Sequence, residues 1–574
     1  MIRSFSTPLV LLGAAVLCLP GARSQEPHHP EISIGHKGIE QLKSDIKLML
    51  DLATTDERHW ENWDGVIELF AFGLDYGKPI RVDLLSGLNP MPVMIYGAYQ
   101  EPVDDLLHEN LEGAEYVPQK ISDTLYEMLP PDQGWFRVLP AEKYAILALS
   151  TPSDHNLLKQ LILKAVNPLP VITEVLQNGA SAGIQLVNTA NTAEDQKKRR
   201  DSFAEIRAVQ MDALQKRPQE TQTEFELRKG LLSVNLDELE RLMVESRITR
   251  AQAFLNTDDL TASIRFSDEA IPESSLADSI ALFGQQKDAF VAIPKAEGAA
   301  LSLRMNHPID QLRQANTLTI IELIRNDIQT RLTDNDTMTA EQKQATEQLV
   351  DGIIAVVKDG VATGNVNAFL ESVPNDEGRF VTHGAMSAKD ARRLDETLAL
   401  ISKTGSGNEI DTSVETVNGV NIHRIRLKKG FLKIFDDVFG DDGQVYIGTA
   451  DNMVWLGAGP DCLPPLKQAI ESLQEPADSD VVFRVESDLL PWVRRAKKLV
   501  EALPEPTTLD DQQARRDHLL RLTHAVESMK EEDDQANFEM TVKDGTASGE
   551  FSFSTGSLRF IGKQLETFSR NNLE

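Results

Sequence analysis

Cysteine is nearly absent from this chain of 574 residues, which contains only Cys18 and Cys462. Cys18 lies in a segment that we predict to be removed, so the mature protein would keep one thiol and could form no internal disulfide. A protein of this length must then be stabilised by burial of apolar side chains, for which an apolar content of 41% is sufficient. The length also predicts more than one domain.

The sequence signatures of several enzyme classes are missing. The chain contains no GxSxG, HExxH, GxxxxGKS/T, GxGxxG or CxxC motif. These absences weaken an assignment as a common hydrolase, zinc protease, nucleotide-binding protein or thiol redox protein, but they leave an unfamiliar type of enzyme open. We predict no metal site and no cofactor.

Positive charge is scarce, because 58 Lys and Arg residues stand against 89 Asp and Glu residues, which gives a formal net charge of −31. Such a charge repels nucleic acids and anionic membrane surfaces, so we predict neither as a partner. Apolar runs long enough to cross a bilayer are also lacking, so we expect no membrane span once the N-terminal segment has been cleaved.

The first 24 residues differ from the rest of the chain. Arg3 is followed by the short apolar run "PLVLLGAAVLCLPG", and Ala22 and Ser24 place small residues at a cleavage site. We therefore predict a signal peptide at 1–24, an N-terminal tail at 25–30, and a secreted or periplasmic mature protein. Leu17 before Cys18 does not suit lipid attachment. Loss of Arg3 and Arg23 changes the charge to −31 − 2 = −33.

Two distant stretches of the chain are similar. "DGVIELFAFGLDYG" spans 64–77 and "DGIIAVVKDGVATG" spans 351–364, and an ungapped alignment of 64–111 with 351–398 contains ten identities in 48 positions. Other similar pairs occur in the same order on both sides of this alignment. The pattern predicts a tandem duplication. We expect repeat domain 1 at 31–285, a linker at 286–297 and repeat domain 2 at 298–570.

Each copy alternates hairpin patterns with helical patterns, which favours an α+β fold with a mainly antiparallel sheet plus helices. Two polar helical stretches, 185–250 and 487–535, are predicted to form helical arms. Gly65 and Gly352 occur within helical patterns, where glycine is unfavourable. We therefore expect both glycines to pack closely against a neighbouring element.

Basic clusters occur in both copies and are the candidate binding sites, with a solvated helix face as the alternative. Trp60 is a further candidate because it aligns with the polar residue Glu347 and could be exposed to a ligand or partner. The basic candidate residues are Lys197, Arg199, Arg200, Arg494, Arg495, Lys497 and Lys498.

Two other features have competing interpretations. Cys462 lies at a predicted helix start, where a thiol can become reactive. We favour an incidental residue whose replacement by serine is nearly neutral. The sequence "FDDVFGDDG" places Asp436, Asp437, Asp441 and Asp442 within seven residues. Its spacing is not that of a known calcium loop, so we favour a solvated acidic turn.

These observations favour a secreted, non-enzymatic binding or envelope-associated structural protein built from two homologous domains. Its ligand is unknown, and an envelope component or another protein is a possible partner. The alternative is an exported hydrolase of unfamiliar type, with acidic residues in the cleft between the domains. A self-associating component of an exported assembly is a third hypothesis. No catalytic residue is assigned.

Overall fold

A computed structural model of the protein describes residues 31–573 with short gaps. The described ranges are 31–85, 93–103, 105–111, 117–129, 134–149, 155–188, 191–430, 433–440, 444–506, 508–543 and 545–573. The predicted signal peptide at 1–24 and tail at 25–30 lie outside these residues, and both stay predictions.

The first half of the described chain contains ten strands. They are β1 (Glu31–His36), β2 (Ile80–Leu85), β3 (Val93–Ala98), β4 (Val117–Ser122), β5 (Leu125–Leu129), β6 (Gly134–Leu139), β7 (Tyr144–Leu149), β8 (Ala182–Val187), β9 (Ser246–Asn256) and β10 (Thr261–Ala270). The helices of this half are α1 (Ile39–Ala53), α2 (Arg58–Ala71), α3 (His155–Lys164), α4 (Leu169–Val175), α5 (Ala193–Ala213), α6 (Gln222–Glu245) and α7 (Ser275–Leu282). A π-helical segment (Asp105–Leu111) and a 3-10 turn (Gln177–Gly179) complete it.

The second half of the described chain also contains ten strands. Its strands are β11 (Leu301–Pro308), β12 (Asn365–Pro374), β13 (Phe380–Ser387), β14 (Glu409–Val417), β15 (Val420–Arg426), β16 (Gln444–Thr449), β17 (Met453–Gly459), β18 (Val481–Asp488), β19 (Gln535–Lys543) and β20 (Thr546–Phe553). Its helices are α8 (Gln311–Thr333), α9 (Ala340–Ala362), α10 (Leu394–Leu398), α11 (Lys433–Phe439), α12 (Leu463–Ser472), α13 (Leu489–Ala502), α14 (Leu509–Ser528) and α15 (Thr555–Asn572), with 3-10 turns at Ala391–Arg393 and Ile401–Lys403.

The chain divides into two compact units. Unit 1 comprises the described residues up to Ala213, Glu238–Leu276 and the residues from Leu558 onward, and unit 2 comprises Leu214–Asp237 and Ala277–Ser557. The C-terminal helix α15 thus belongs mostly to unit 1, and the first part of α6 belongs to unit 2. In these two segments the units differ from the predicted domains at 31–285 and 298–570. The predicted domain boundaries stay predictions.

Each unit contains a sheet of ten strands, and every described pairing within it is antiparallel. In unit 1 the spatial order is β4-β5-β6-β7-β3-β2-β1-β8-β9-β10. In unit 2 the order is β14-β15-β16-β17-β13-β12-β11-β18-β19-β20. The predicted mixed α+β class with a mainly antiparallel sheet is confirmed. The spatial order of strands is the same in both units.

The main core of unit 2 lies between its sheet and helix α12. Trp455 on β17, Phe369 on β12 and Phe290 are fully buried or nearly so, and their ring centroids are 5.1 to 6.2 Å apart. Burial of each such aromatic side chain contributes about 2–3 kcal/mol to folding. Phe290 belongs to the segment that the sequence predicts as a linker.

Residues 286–297, which we call the strap, pack onto the sheet of unit 2 without regular secondary structure. Side chains of the sheet hold the strap by its carbonyl groups. Asn306 donates to the carbonyl of Gln286 at 2.8 Å, and Asn367 donates to that of Lys287 at 3.2 Å. The predicted linker segment therefore packs within unit 2, where two polar side chains that follow it in sequence anchor it.

Each unit also contains a helical hairpin covered by a third helix. In unit 1, α15 covers α1 and α2, and Gly562 of α15 abuts the backbone of Met49. In unit 2, residues 222–237 of α6 cover α8, and Gly230 abuts the side chain of Leu323. A glycine allows the covering helix to approach closely in both cases.

The aspartates of the two similar Asp-Gly pairs have the same role, whereas the glycines have different environments. Asp64 forms an ion pair with Lys43 on α1 at 2.7 Å, and Asp351 forms one with Arg325 on α8 at 2.8 Å. Gly352 lies against Thr397, as expected. The expectation for Gly65 was wrong, because a Cβ atom there would have no neighbour within 4 Å.

We therefore expect opposite effects from one substitution at these two glycines. Gly65→Ala should raise the free energy of unfolding by up to about 1 kcal/mol, because alanine is the better helix former and the space is open. Gly352→Ala should lower it by about 1–3 kcal/mol, because the new methyl would lie 2.5 Å from the Thr397 side chain. Urea unfolding of both variants tests this, and a stabilised Gly352→Ala would contradict the packing.

Candidate functional site

The basic cluster of unit 1 forms contacts within that unit. Arg199 is buried, and its guanidinium donates to the carbonyl of Val244 at the end of α6, at 3.1 and 3.3 Å. Arg200 forms an ion pair with Glu245 at 3.0 Å. Both residues tie α5 to the C-terminus of α6, a usual position for basic side chains. Lys197 is exposed.

The basic cluster of unit 2 is more accessible. Arg494 and Lys498 on α13 are exposed, and Arg495 and Lys497 are half-buried. Lys497 lies 4.0 Å from Glu501 and Arg494 lies 3.9 Å from Glu531, which are long ion pairs. The two clusters therefore differ in environment, and the unit 2 cluster is the better candidate for an external anionic partner.

Trp60 is neither fully exposed nor buried. It lies half-buried on α2, and the ammonium of Lys47 on α1 sits 5.6 Å from the centre of its ring. This is a cation–π contact between the two helices of the hairpin. Trp60 thus already has a partner within unit 1, and its role as a binding residue stays a prediction.

Cys462 is fully buried in the core of unit 2 and immediately precedes α12. Its Sγ atom lies 3.7 Å from the carbonyl oxygen of Gln444. Burial raises the pKa of its thiol to about 12. The thiol is therefore poorly placed to react in the folded protein. Its burial also changes the expectation that Cys462→Ser is nearly neutral: the substitution should cost about 1–3 kcal/mol, because a hydroxyl would replace a thiol in the core.

We expect the Cys462 thiol to be protected from a disulfide reagent in the native protein. At pH 8 a thiol with a pKa of about 12 contains about a thousandfold less thiolate than an exposed cysteine. Labelling should therefore be slow in buffer and complete in denaturant. Fast labelling of the folded protein would contradict the observed burial.

The predicted acidic turn is only partly described. Asp436 lies on α11 and accepts a hydrogen bond from the amide of Gly430 at 2.8 Å, whereas Asp441 and Asp442 lie outside the described residues. Among the residues that the structure describes, no group of three or more His, Cys, Asp and Glu side chains could hold a metal ion.

A buried polar pair occupies corresponding strands of the two units. In unit 1, the hydroxyl of Ser33 on β1 donates to Asp83, directly opposite on β2, at 2.8 Å. In unit 2, the hydroxyl of Ser302 on β11 donates to Glu371, directly opposite on β12, at 2.9 Å. All four side chains are buried. Charged residues are rarely buried without a specific partner.

An arginine neutralises the carboxylate in each unit. Arg81 bonds to Asp83 at 2.7 Å and lies over the ring of Tyr96. Arg304 bonds to Glu371 at 2.6 Å and lies over the ring of Phe369. Arg304 also donates to the carbonyl of Ile293 in the strap at 3.2 Å. The ion pair of unit 2 thus helps to hold the strap in place.

These pairs belong to a row of residues that crosses each sheet on one face, because direct cross-strand neighbours share a face. From β4 to β10, the row of unit 1 contains Gln119, Glu127, Trp135, Ala148, Met94, Asp83, Ser33, Gln185, Arg250 and Ser267. From β14 to β20, the row of unit 2 contains Asp411, Arg424, Tyr446, Gly457, His383, Glu371, Ser302, Glu486, Asn537 and Ser552. An aromatic, a small residue, an acid and two serines occur at the same places in both rows.

His383 distinguishes the row of unit 2, because unit 1 has Met94 at the same place. His383 is directly opposite Glu371 and is buried. Burial, together with the charge of Arg304, lowers the pKa of His383 to about 4, so its ring is neutral at pH 7. Burial raises the pKa of Glu371, while Arg304 and Ser302 act in the opposite direction. Shifted pKa values indicate function where the groups line a cleft, whereas Glu371 and His383 lie in the interior of unit 2.

A second histidine–carboxylate pair involves His423, which lies on the face of the unit 2 sheet opposite to the row. Nε2 of the fully buried His423 lies 3.0 Å from Asp395 Oδ1, and the amide of Ser413 donates to its Nδ1 at 3.3 Å. Ser413 adopts the left-handed conformation at an irregularity of β14. Although the three residue types are those of a nucleophilic triad, both ring nitrogens already have partners. The arrangement therefore holds β14 and α10 together and leaves no base for a nucleophile.

The sequence reasoning missed both buried polar pairs. Ser33, Asp83, Ser302 and Glu371 do not stand out by motif or spacing, and their two alignments require different offsets. The alternation of polar and apolar residues along β1, β2, β11 and β12 was the one available signal. It shows that a strand has two faces, but it does not show which face is covered.

Comparisons with known proteins give little similarity. No family model matches the chain, and no curated protein matches it. The crystal structure of TP0453 in crystal form I has 6% identity, with 43% of this chain and 79% of that chain covered and a TM-score of 0.22. Its crystal form IV has 7% identity, with 49% and 98% covered and a TM-score of 0.19. Similarity at this level bears on neither the fold nor the function of this chain.

None of the helices within the described ranges combines the length and the apolar composition that crossing a bilayer requires.

Proposed function

We propose that this protein is an exported, non-enzymatic binding or envelope-associated structural protein built from two homologous domains. The observation that carries the proposal is the placement of its acid–base side chains. Glu371 and His383 lie in the interior of unit 2, and Asp395 and His423 are bonded to each other. Side chains in such positions stabilise a fold and are poorly placed to meet a substrate.

Homology of the two domains is supported by two observations. The strand order is the same in both units, and the row across each sheet places similar residue types at the same positions, including the serine and the carboxylate opposite it. The arginines do not correspond, because Arg81 lies on β2 and Arg304 lies on β11. A common hydrophobic pattern could explain a shared strand order, but it would not explain a serine bonded to an opposite carboxylate in both sheets. We therefore propose a tandem duplication, as the ten identities in 48 aligned positions also suggest.

A binding role would use the exposed basic face of α13 in unit 2. Arg494 and Lys498 project from a protein with a formal net charge of −31, so they form a local positive area on an acidic molecule. Such an area suits an acidic protein or an anionic envelope polymer. The unit 1 cluster is a weaker candidate because Arg199 and Arg200 already bind the end of α6.

Export is the part of the proposal that can be tested most directly. We expect the protein in its native host to occur outside the cytoplasm and to begin at Gln25, because residues 1–24 have the three regions of a signal peptide. Cell fractionation followed by intact-mass measurement tests this. A cytoplasmic protein that retains residues 1–24 would refute the proposal of export.

Envelope association needs a separate measurement with a matched control. The double variant Arg494→Glu/Lys498→Glu should sediment less with isolated envelope than the wild type does. The control is Lys197→Glu/Lys198→Glu, which reverses two exposed charges of unit 1 and should have no effect. Equal loss in both variants would indicate non-specific electrostatics. No loss in either would argue against the α13 face.

A further inference from the structure

The strap of unit 2 is fastened to the sheet by polar contacts near both of its ends. Asn306 and Asn367 donate to the carbonyl groups of its first two residues. Near its other end, the amide of Ala296 donates to the Glu371 carboxylate. Between these points Phe290 inserts into the aromatic core of the unit. A segment held in this way, without regular secondary structure, can open locally while the sheet beneath it stays folded.

Two buried carboxylates share one guanidinium where the strap meets the sheet. Asp288 of the strap is 6% exposed, Glu371 is fully buried, and the side chain of Arg304 is 15% exposed. Arg304 forms its ion pair with Glu371 at 2.6 Å, and its charge also acts on Asp288. A buried carboxylate that has only a share of a counter-charge destabilises the closed arrangement.

We propose that the strap is a lid that tightens in acid, because protonation of Asp288 removes a buried negative charge that favours opening. The position of Asp288 supports this. Its Oδ1 atom accepts from the amide of Phe290 at 2.8 Å, and its backbone bonds to that of Ala477 in both directions, at 2.8 and 3.1 Å. The carboxylate is thus held in the interior while the strap is closed, and opening would expose it to water.

The pKa values of both carboxyl groups are shifted in the same direction. Burial raises the pKa of Asp288, against the opposing effects of the Phe290 amide, the Arg304 charge and Asn367. Burial also raises the pKa of Glu371. A carboxyl group with a higher pKa in the closed state stabilises that state fully below its ordinary pKa. This stabilisation is lost as the pH rises through the raised value.

His383 acts in the opposite direction and has to be separated from Asp288 in any test. It lies directly opposite Glu371, and burial together with the charge of Arg304 lowers its pKa to about 4. Its ring is therefore neutral while it is buried. A fall in pH through the ordinary histidine range favours states in which the ring is exposed and can take up a proton.

The test is amide hydrogen exchange of residues 286–297 in the mature protein, corrected for the intrinsic pH dependence of exchange. Asp288→Asn keeps an oxygen that can accept from the Phe290 amide, but it removes the charge. We expect severalfold slower exchange of the strap in this variant than in the wild type at about pH 8, since one unit of pKa difference corresponds to a tenfold change. This difference should vanish toward about pH 4, where Asp288 itself becomes protonated.

The matched control is Glu297→Gln, which removes an exposed carboxylate of the same strap and should leave exchange as in the wild type at both pH values. Because each variant is compared with the wild type at one pH, the titration of His383 cancels. Faster exchange in Asp288→Asn at about pH 8 would mean that the charge of Asp288 holds the strap closed, and it would overturn the proposal. So would a difference that is the same at both pH values.

His383→Met provides a second and independent test. It replaces the opposing group by the residue that unit 1 has at this place, Met94. In this variant the protection of the strap should increase as the pH falls from about 8 to about 4, and constant or decreasing protection would refute the acid-tightened lid. Neither test depends on whether the protein is exported or binds a partner.

Discussion

Replacement of Gly562 by alanine is expected to lower the free energy of unfolding by about 1–3 kcal/mol, although alanine is the better helix former. A Cβ atom at this position would overlap the carbonyl oxygen of Met49 and lie 2.8 Å from the Cβ of Ala53. The obstacle is backbone, which cannot move aside as a flexible side chain can. Helix α15 would therefore have to shift away from α1. Urea unfolding monitored by far-UV circular dichroism measures the loss.

The expected cause is the loss of the α15 contacts, and this can be checked separately. Trp63 stacks on Phe568 with ring centroids 5.3 Å apart, and its indole donates to the carbonyl of Leu565 at 3.2 Å. Tryptophan fluorescence should therefore change in Gly562→Ala. The control is Gly360→Ala in α9, where a Cβ atom meets nothing within 4 Å and stability should rise slightly. Equal stability of wild type and Gly562→Ala would show that α15 does not dock so closely.

Glu371→Ala is expected to be the most destabilising of the substitutions considered, with a loss of about 3–5 kcal/mol. It leaves the guanidinium of Arg304, only 15% exposed, without its counter-charge. It also removes the acceptor of the Ser302 hydroxyl. Because Arg304 bonds to Ile293, the strap should loosen as well. Denaturant unfolding and amide hydrogen exchange over residues 286–297 measure the two effects.

Glu371→Gln separates charge from shape. The amide oxygen can still accept from Ser302 and Arg304, so we expect a loss clearly smaller than that of Glu371→Ala, with less exchange in the strap. A control on the surface of the strap is Lys295→Gln, which removes the exposed ion pair to Glu486 and should cost at most about 1 kcal/mol. If Glu371→Ala were no worse than Lys295→Gln, the buried pair would not stabilise unit 2.

Local features can be predicted from short stretches of the sequence. The Thr-x-x-Gln spacing at 339–342 is typical of a capping box, and Thr339 and Gln342 form one at the start of α9. Asn-Gly is typical of a hairpin turn, and Asn418-Gly419 forms the turn between β14 and β15, with positive φ at both residues. Each of these signals involves residues within a few positions of one another, so neighbouring residues are sufficient to define them.

The missed features depend on residues that are distant in sequence. Nothing in the sequence near the strap indicates that Asn306 and Asn367 bond to its carbonyls, because these residues lie 20 and 80 positions away from their partners. Gly230 and Gly562 have similar roles in the two units but come from different parts of the repeat, so an alignment of the copies does not match them. The prediction of close packing at Gly65 failed for the opposite reason. Gly65 aligns with Gly352, but aligned residues need not have the same environment.

The docking of α15 onto the first helices also sets an order of events during synthesis. His59 on α2 contacts Ser569 on α15 at 3.2 Å, across 510 positions of sequence. The hairpin of α1 and α2 is synthesised long before α15, the helix that covers it. Until then its apolar face is exposed to aggregation or to chaperones. Truncation of the last twenty residues should therefore harm the first helices to be synthesised.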